Sequence, residues 1–181
     1  MIVTTGVVRE GMMSRSGIEA LLDCARTLGL FVLLEAFDEA DLEQMHDIIG
    51  AHSRSGADTR VTSATAGRAA AAPAHQHETP AALLAGLNCR DLTTLQIVPT
   101  RLLELAHLLP SNVPRVAESG VTSAADAARV AEAGYEYALV GSALMQGGDP
   151  RALASAMLEA GRGAKAGTRE GAGRNIKRGP T

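Results

Sequence analysis

Residues 113–120 read VPRVAESG, and this stretch decides the fold. An apolar segment runs into Glu118 and is followed at once by Ser119 and Gly120, which favour a turn. A helix is predicted over residues 123–133, with Gly134 just beyond its end. A strand followed by a helix is one β–α unit, and repeated units of this kind favour a parallel sheet covered by helices.

The same pattern recurs along the chain. Strands are predicted over residues 2–8, 30–34, 83–88, 113–118 and 136–140, and helices over residues 16–28, 39–49, 100–109, 123–133 and 150–161. Because eight such units in ~250 residues close a TIM barrel, this chain of 181 residues is too short for a complete one. We predict an α/β fold, a partial (β/α)8 TIM barrel of about five β–α units.

Two stretches lack this alternation of strands and helices. Residues 51–80 hold one large aliphatic residue, Val61, and are predicted to be a low-complexity insertion. Residues 162–181 are rich in Gly, Arg and Lys, and a disordered tail is expected there. The predicted organisation is a partial barrel domain over residues 1–161, which contains the insertion, followed by the tail.

Composition argues against several classes of partner. A net charge of −3 gives no basic footprint for nucleic acid. No apolar run approaches the ~20 residues of a membrane span, and no signal peptide is recognisable at the N-terminus. The two cysteines, Cys24 and Cys89, form neither a disulfide framework nor a metal motif. A cytoplasmic protein without metal or cofactor is therefore expected.

Polar side chains follow the predicted strands at their carboxyl ends, which in a parallel barrel face one mouth. Glu35 and Glu118 are a pair of carboxylates that can divide acid and base roles, or are simply solvated charges. Asn88 can hold a hydroxyl group, and Arg90 can pair with a carboxylate or phosphate, although a strand-end turn with a surface arginine explains them equally well.

Glycine and serine follow the last two predicted strands, as Ser119-Gly120 and Gly141-Ser142. Barrels often bind phosphate at this position, where backbone N–H groups approach the anion closely. We therefore predict a phosphate-binding end of the site.

Four strings of the chain, taken together, resemble a known family. They are LEAFD at 34–38, GLNCRDL at 86–92, AESGV at 117–121 and LVGSALM at 139–145. In this order they resemble indole-3-glycerol phosphate synthase, a β/α-barrel enzyme of tryptophan biosynthesis. The likeness covers residues 15–50 and 83–160, which correspond to the fifth to eighth strands of the family's barrel.

The resemblance implies a carboxy-lyase of aromatic amino acid biosynthesis that acts on a phosphorylated small molecule. The family closes the indole ring of 1-(2-carboxyphenylamino)-1-deoxyribulose 5-phosphate, with loss of CO2 and water. By resemblance, Glu35 is the general base of the dehydration, Asn88 holds substrate hydroxyls, and Glu118 positions the substrate together with Ser119. The residues that line the pocket and its phosphate end are Arg90, Gly120, Gly141 and Ser142.

The chain also departs from the family. Phe37 stands where the family usually has His, and Cys89 where it often has Asn. The family's catalytic lysines lie on its first and third strands, whereas the lysines here are Lys165 and Lys177, both in the predicted tail. The chain is therefore not expected to be active alone. The alternative is a truncated or degenerate phosphate-binding or interaction module without catalysis.

An open five-stranded parallel sheet exposes two edge strands. We therefore expect a partner, either further copies of the chain or a complementary N-terminal half-barrel chain. A third hypothesis, a sugar-phosphate isomerase on the same barrel, fits the glycines at the last strand ends. The strings around Glu35 and Asn88 argue against it.

Overall fold

A computed structural model describes residues 1–6, 13–62, 83–91, 94–146 and 148–175. The strands are β1 (Ile2–Thr4), β2 (Val32–Ala36), β3 (Leu83–Asn88), β4 (Arg115–Glu118) and β5 (Tyr137–Leu139). The helices are α1 (Arg15–Thr27), α2 (Glu39–Thr62), α3 (Thr100–Glu104), α4 (Ala124–Glu132), α5 (Ser142–Met145) and α6 (Pro150–Asn175), and a 3₁₀ turn covers Ala106–Leu108. No helix in these ranges is long and apolar enough to cross a bilayer.

The strands form one parallel sheet in the order β1-β2-β3-β4-β5. Each strand pairs with the next one along the chain, as β–α repeats require, so the predicted α/β fold is confirmed. The register places Thr4, Glu35 and Gly86 side by side across three strands. It also places Asn88 beside Glu118, which fixes the geometry of the strand ends.

The two faces of the sheet have different surroundings. One face contributes Leu34, Ala85 and Ala117 to a core that also contains Ile18 of α1 and Met45 of α2. Alternate residues point to the opposite side of the sheet, which we call the open face. Its residues are Ile2, Thr4, Leu33, Glu35, Leu84, Gly86, Asn88, Val116, Glu118, Tyr137 and Leu139.

The open face has a buried centre and exposed margins. Leu33 and Val116, near its middle, are buried although they do not belong to the helix-covered core. Ile2 on β1, and Tyr137 and Leu139 on β5, are more than half exposed. Apolar side chains are thus left in solvent at both edges of the sheet.

Two helix termini differ from the prediction. The α1 helix begins at Arg15, one residue before the predicted start, and is capped by Ser14, whose Oγ accepts a hydrogen bond from Gly17 N at 3.1 Å. The α2 helix passes through Gly50 and ends at Thr62, so the predicted end at residue 49 is wrong. A glycine inside a helix costs only about 1 kcal/mol. The first part of the predicted insertion is therefore helical, and residues 63–80 lie outside the described residues.

The last helix begins at Pro150 as predicted but does not end near Gly161. It continues to Asn175, so the structure has a helix over residues 162–175, where a disordered tail was expected. Residues 176–181 lie outside the described ranges. At Gly161, α6 comes near α4, where an added Cβ would lie 3.8 Å from both Ala127 O and Ala131 Cβ. Packing against α4 helps to keep a glycine-rich segment helical, since tertiary contacts override weak intrinsic propensity.

Candidate active site

Glu35 lies near the carboxyl end of β2 and is held by both neighbouring strands. Asn88 Nδ2 donates a hydrogen bond to Glu35 Oε1 at 2.8 Å. From the other side, Thr4 Oγ1 donates to Glu35 Oε2 at 3.1 Å. Because each carboxylate oxygen accepts one hydrogen bond, the side chain is fixed in position at the end of the sheet.

Glu118 is the last residue of β4 and is only 2% exposed. Its Oε1 atom is buried and finds no hydrogen-bond partner among the described residues. Burial raises the pKa of Glu118 from 4.5 to about 8, with further contributions from the charge of Glu35 and from a hydrogen bond to Glu35. Glu118 is therefore largely protonated at neutral pH.

Asn88 connects the carboxylates to the loop that follows β3. Its Oδ1 accepts a hydrogen bond from Arg90 N at 2.9 Å, which orients the amide so that Nδ2 faces Glu35. The Arg90 guanidinium turns instead to the loop, where Nη1 donates to Leu95 O at 3.1 Å. Arg90 is thus joined to the site through its backbone, and its role at the substrate phosphate stays a prediction.

The chain turns sharply after Glu118. Ser119 and Gly120 both have positive φ, 64° and 70°, and Val121 N donates to Ser119 O at 2.9 Å. Gly120 passes close to the buried Cys89, where an added Cβ would lie 2.8 Å from Sγ. Burial raises the pKa of the Cys89 thiol, which favours a packing role over a nucleophilic one.

The second predicted dipeptide follows β5. Gly141 precedes the short helix α5, and Ser142 is the first residue of that helix. Since β4 and β5 are neighbours, both dipeptides lie beyond the carboxyl ends of adjacent strands. Phosphate binding by Ser119, Gly120, Gly141 and Ser142 stays a prediction.

Sequence reasoning missed two residues of the site, Thr4 and Gly86. The predicted strand reaches residue 8 and contains Thr4, because a run of β-branched residues carries no signal for its end. In the structure β1 ends at Thr4. Gly86 lies directly under the Glu118 carboxyl group, and an added Cβ there would overlap Oε1. The only signal in the sequence was a glycine inside an apolar strand, which often marks a close approach.

These groups give the strand ends a defined chemistry. A neutral carboxyl group can donate a proton while a neighbouring carboxylate accepts one. The Asn88 amide and the Thr4 hydroxyl hold the accepting carboxylate of Glu35 in position. This arrangement suits general acid–base catalysis near neutral pH. Over the described residues, no three His, Cys, Asp or Glu side chains gather as metal ligands would.

A known protein family matches the part of the chain that carries Asn88 and Glu118. The family model described as indole-3-glycerol phosphate synthase matches residues 73–157. The protein of that name from Mycobacterium ulcerans is 37% identical over 76 residues, and the one from Mycolicibacterium vanbaalenii is 42% identical over 76 residues. Each alignment covers 42% of this chain and 28% of the relative.

The resemblance predicted from the sequence strings is confirmed for this stretch. The chain spans less than a third of the length of these curated relatives. The matched residues include Asn88 and Glu118 but not Glu35, which the fold brings to them.

A solved structure supports the fold. A chain in the crystal structure of the Amycolatopsis orientalis BexX/CysO complex superimposes with a TM-score of 0.51. It is 19% identical in sequence, and the match covers 87% of this chain and 52% of that chain. At this level of identity the likeness concerns the fold alone.

Proposed function

We propose that this sheet is part of a (β/α)8 barrel whose mouth performs the indole-3-glycerol phosphate synthase reaction. The substrate is then 1-(2-carboxyphenylamino)-1-deoxyribulose 5-phosphate, and ring closure releases CO2 and water. The family match over residues 73–157 supports this chemistry. The observation that carries the proposal is the 2.8 Å hydrogen bond between Asn88 and Glu35, because Glu35 lies outside the matched stretch.

Dehydration of a ring-closed intermediate needs a base that removes a proton and an acid that assists the departing hydroxyl group. Glu35, held by Asn88 and Thr4, is the base. Glu118, protonated at neutral pH, donates a hydrogen bond to a substrate hydroxyl and positions it together with Ser119. Asn88 shares its amide between Glu35 and the substrate hydroxyls.

The phosphate group is assigned to the ends of β4 and β5. Glycine at 120 and 141 lets backbone N–H groups come close to an anion, and the hydroxyls of Ser119 and Ser142 add donors. Arg90 supplies a positive charge from the loop after β3. We place the protein in the cytoplasm, where a biosynthetic enzyme of this family finds its phosphorylated substrate.

The lysines favour a second candidate, a phosphate-binding or interaction module that does not catalyse. Lys165 is the only lysine in the part of the chain that the structure describes. It lies on α6, at a cavity of about 500 Å³ lined by α4, β5 and α6, away from the carboxylate pair. The described residues therefore offer no lysine ammonium group to the carboxylate pair. We propose that a complementary N-terminal half-barrel supplies it, or that a second copy covers the open face without supplying it.

Turnover followed by indole fluorescence separates the two candidates. The chain is assayed alone and mixed with the N-terminal half of a relative that carries the catalytic lysines. We expect turnover only in the mixture, and a loss of ~10²–10⁴-fold in Glu35→Gln, as for removal of a general base. Glu132→Gln, an exposed glutamate on α4, is the matched control and should change nothing.

Two outcomes decide against the catalytic proposal. Equal turnover in Glu35→Gln and in the unaltered chain would remove Glu35 from the mechanism. Binding of the substrate without turnover in any mixture, by folded protein, would favour the non-catalytic module.

A further inference from the structure

We infer that Gly86 is a positioning residue, whose missing side chain lets the Glu118 carboxyl group lie against Glu35. The inference rests on the proposed site and deepens it. Its test reads the ionisation of Glu118 and not turnover, so a failed reaction and a failed inference are distinguishable.

The tightest contact that a side chain at position 86 would make is with Glu118. A Cβ added there would overlap Oε1 of Glu118, at 3.1 Å from Cδ of the same residue. It would also lie 2.9 Å from Leu33 Cδ1. The carboxyl group therefore occupies the space that any other residue would fill with its own side chain.

Backbone conformation does not explain the glycine. Gly86 is not among the glycines with positive φ, and it lies in the middle of β3 with both neighbouring strands paired. Glycine weakens a strand interior because it has no side chain to pack and loses more freedom on folding. A glycine at this position thus costs stability and leaves room for Glu118.

The neighbours of Glu118 determine which interactions its carboxyl group would lose if it were displaced. Glu35 on β2 is the charged group that acts on it. Asn88 on β3 and Thr4 on β1 are neutral hydrogen-bonding groups attached to Glu35, and Leu139, its register partner on β5, is apolar. Pushed out by a methyl group at 86, the carboxyl group moves towards solvent and away from Glu35. Its burial and its interactions with Glu35, which together raise the pKa of Glu118, then weaken.

The direct test is an NMR titration of the full chain labelled with ¹³C-glutamate. The Glu118 carboxyl resonance is assigned from its absence in Glu118→Gln and followed against pH in the unaltered chain and in Gly86→Ala. We expect Gly86→Ala to lower the proton affinity of Glu118 at least about tenfold, one pH unit. The matched control is Gly163→Ala on α6, where an added Cβ meets nothing within 4 Å, and its titration should be unchanged.

A double substitution covers the case in which Gly86→Ala folds poorly. If the clash is with the carboxyl group, removing that group should relieve it. Gly86→Ala should therefore lower the urea midpoint less in a Glu118→Ala background than in the unaltered chain. An equal loss in both backgrounds, or an unchanged Glu118 titration in folded Gly86→Ala, overturns the inference.

Discussion

Glu118→Gln tests the buried carboxyl group through the pH dependence of stability. Burial first, and the nearby Glu35 second, raise the pKa of Glu118 from 4.5 to about 8. The unfolded chain has the ordinary value, so between these two pH values the folded protein binds one more proton. Stability from this group is fully present below pH 4.5 and is lost as pH rises through about 8.

The size of the effect follows from the same shift. A change from 4.5 to about 8 is about 3.5 units, and at 1.36 kcal/mol per unit the total is about 5 kcal/mol. This is comparable to the whole stability of a small domain, about 5–15 kcal/mol. Glutamine has nearly the same shape and does not titrate, so Glu118→Gln should lose this dependence on pH.

The assay is urea unfolding followed by far-ultraviolet circular dichroism, between about pH 5 and about pH 8. Ionic strength and protein concentration are held constant. All other titratable groups are common to both proteins, so the difference between the two curves isolates Glu118. We expect the free energy of unfolding to fall more steeply with pH in the unaltered chain than in Glu118→Gln. Parallel curves of unfolding free energy against pH for the two proteins would refute the reasoning. Glu132→Gln controls for the removal of a glutamate charge.

Three further predictions concern the fold and its edges. Tyr135→Phe should lower the free energy of unfolding by about 1–2 kcal/mol, because the buried Tyr135 hydroxyl donates a hydrogen bond to Leu102 O at 2.7 Å. Tyr137 is exposed, so Tyr137→Phe should be neutral in the same urea assay. Ser14→Ala should cost about 1 kcal/mol through loss of the α1 cap, while Ser16→Ala should cost much less, and equal losses would mean that the cap is misassigned. In size-exclusion chromatography with light scattering, we expect a mass above that of the 18.7 kDa chain, because both sheet edges expose apolar residues. A sharp monomer peak with cooperative melting would contradict this expectation.

The sequence predicts the strand ends well where an apolar run stops at a polar residue. Asn88 and Glu118 were placed at the ends of β3 and β4 for this reason, and the structure ends both strands there. The prediction fails where local signals are absent or overruled. No residue type marks the end of β1 at Thr4, and α2 continues past Gly50 because one glycine does not stop a helix. The role of Gly86 depends on a contact with another strand, which no local pattern contains.

The position of the carboxylate pair in the sheet explains how an open five-stranded sheet can hold the groups of the proposed site. Glu35, Asn88 and Glu118 come from β2, β3 and β4, so every strand that carries them is paired on both sides. Their geometry depends on the register of these three strands and not on closure of a barrel. The predicted phosphate end is different, because Gly141 and Ser142 follow β5, an edge strand whose residues are all exposed. A partner that pairs with the edges and covers the open face would therefore leave the carboxylate pair in place and complete the phosphate end that we propose.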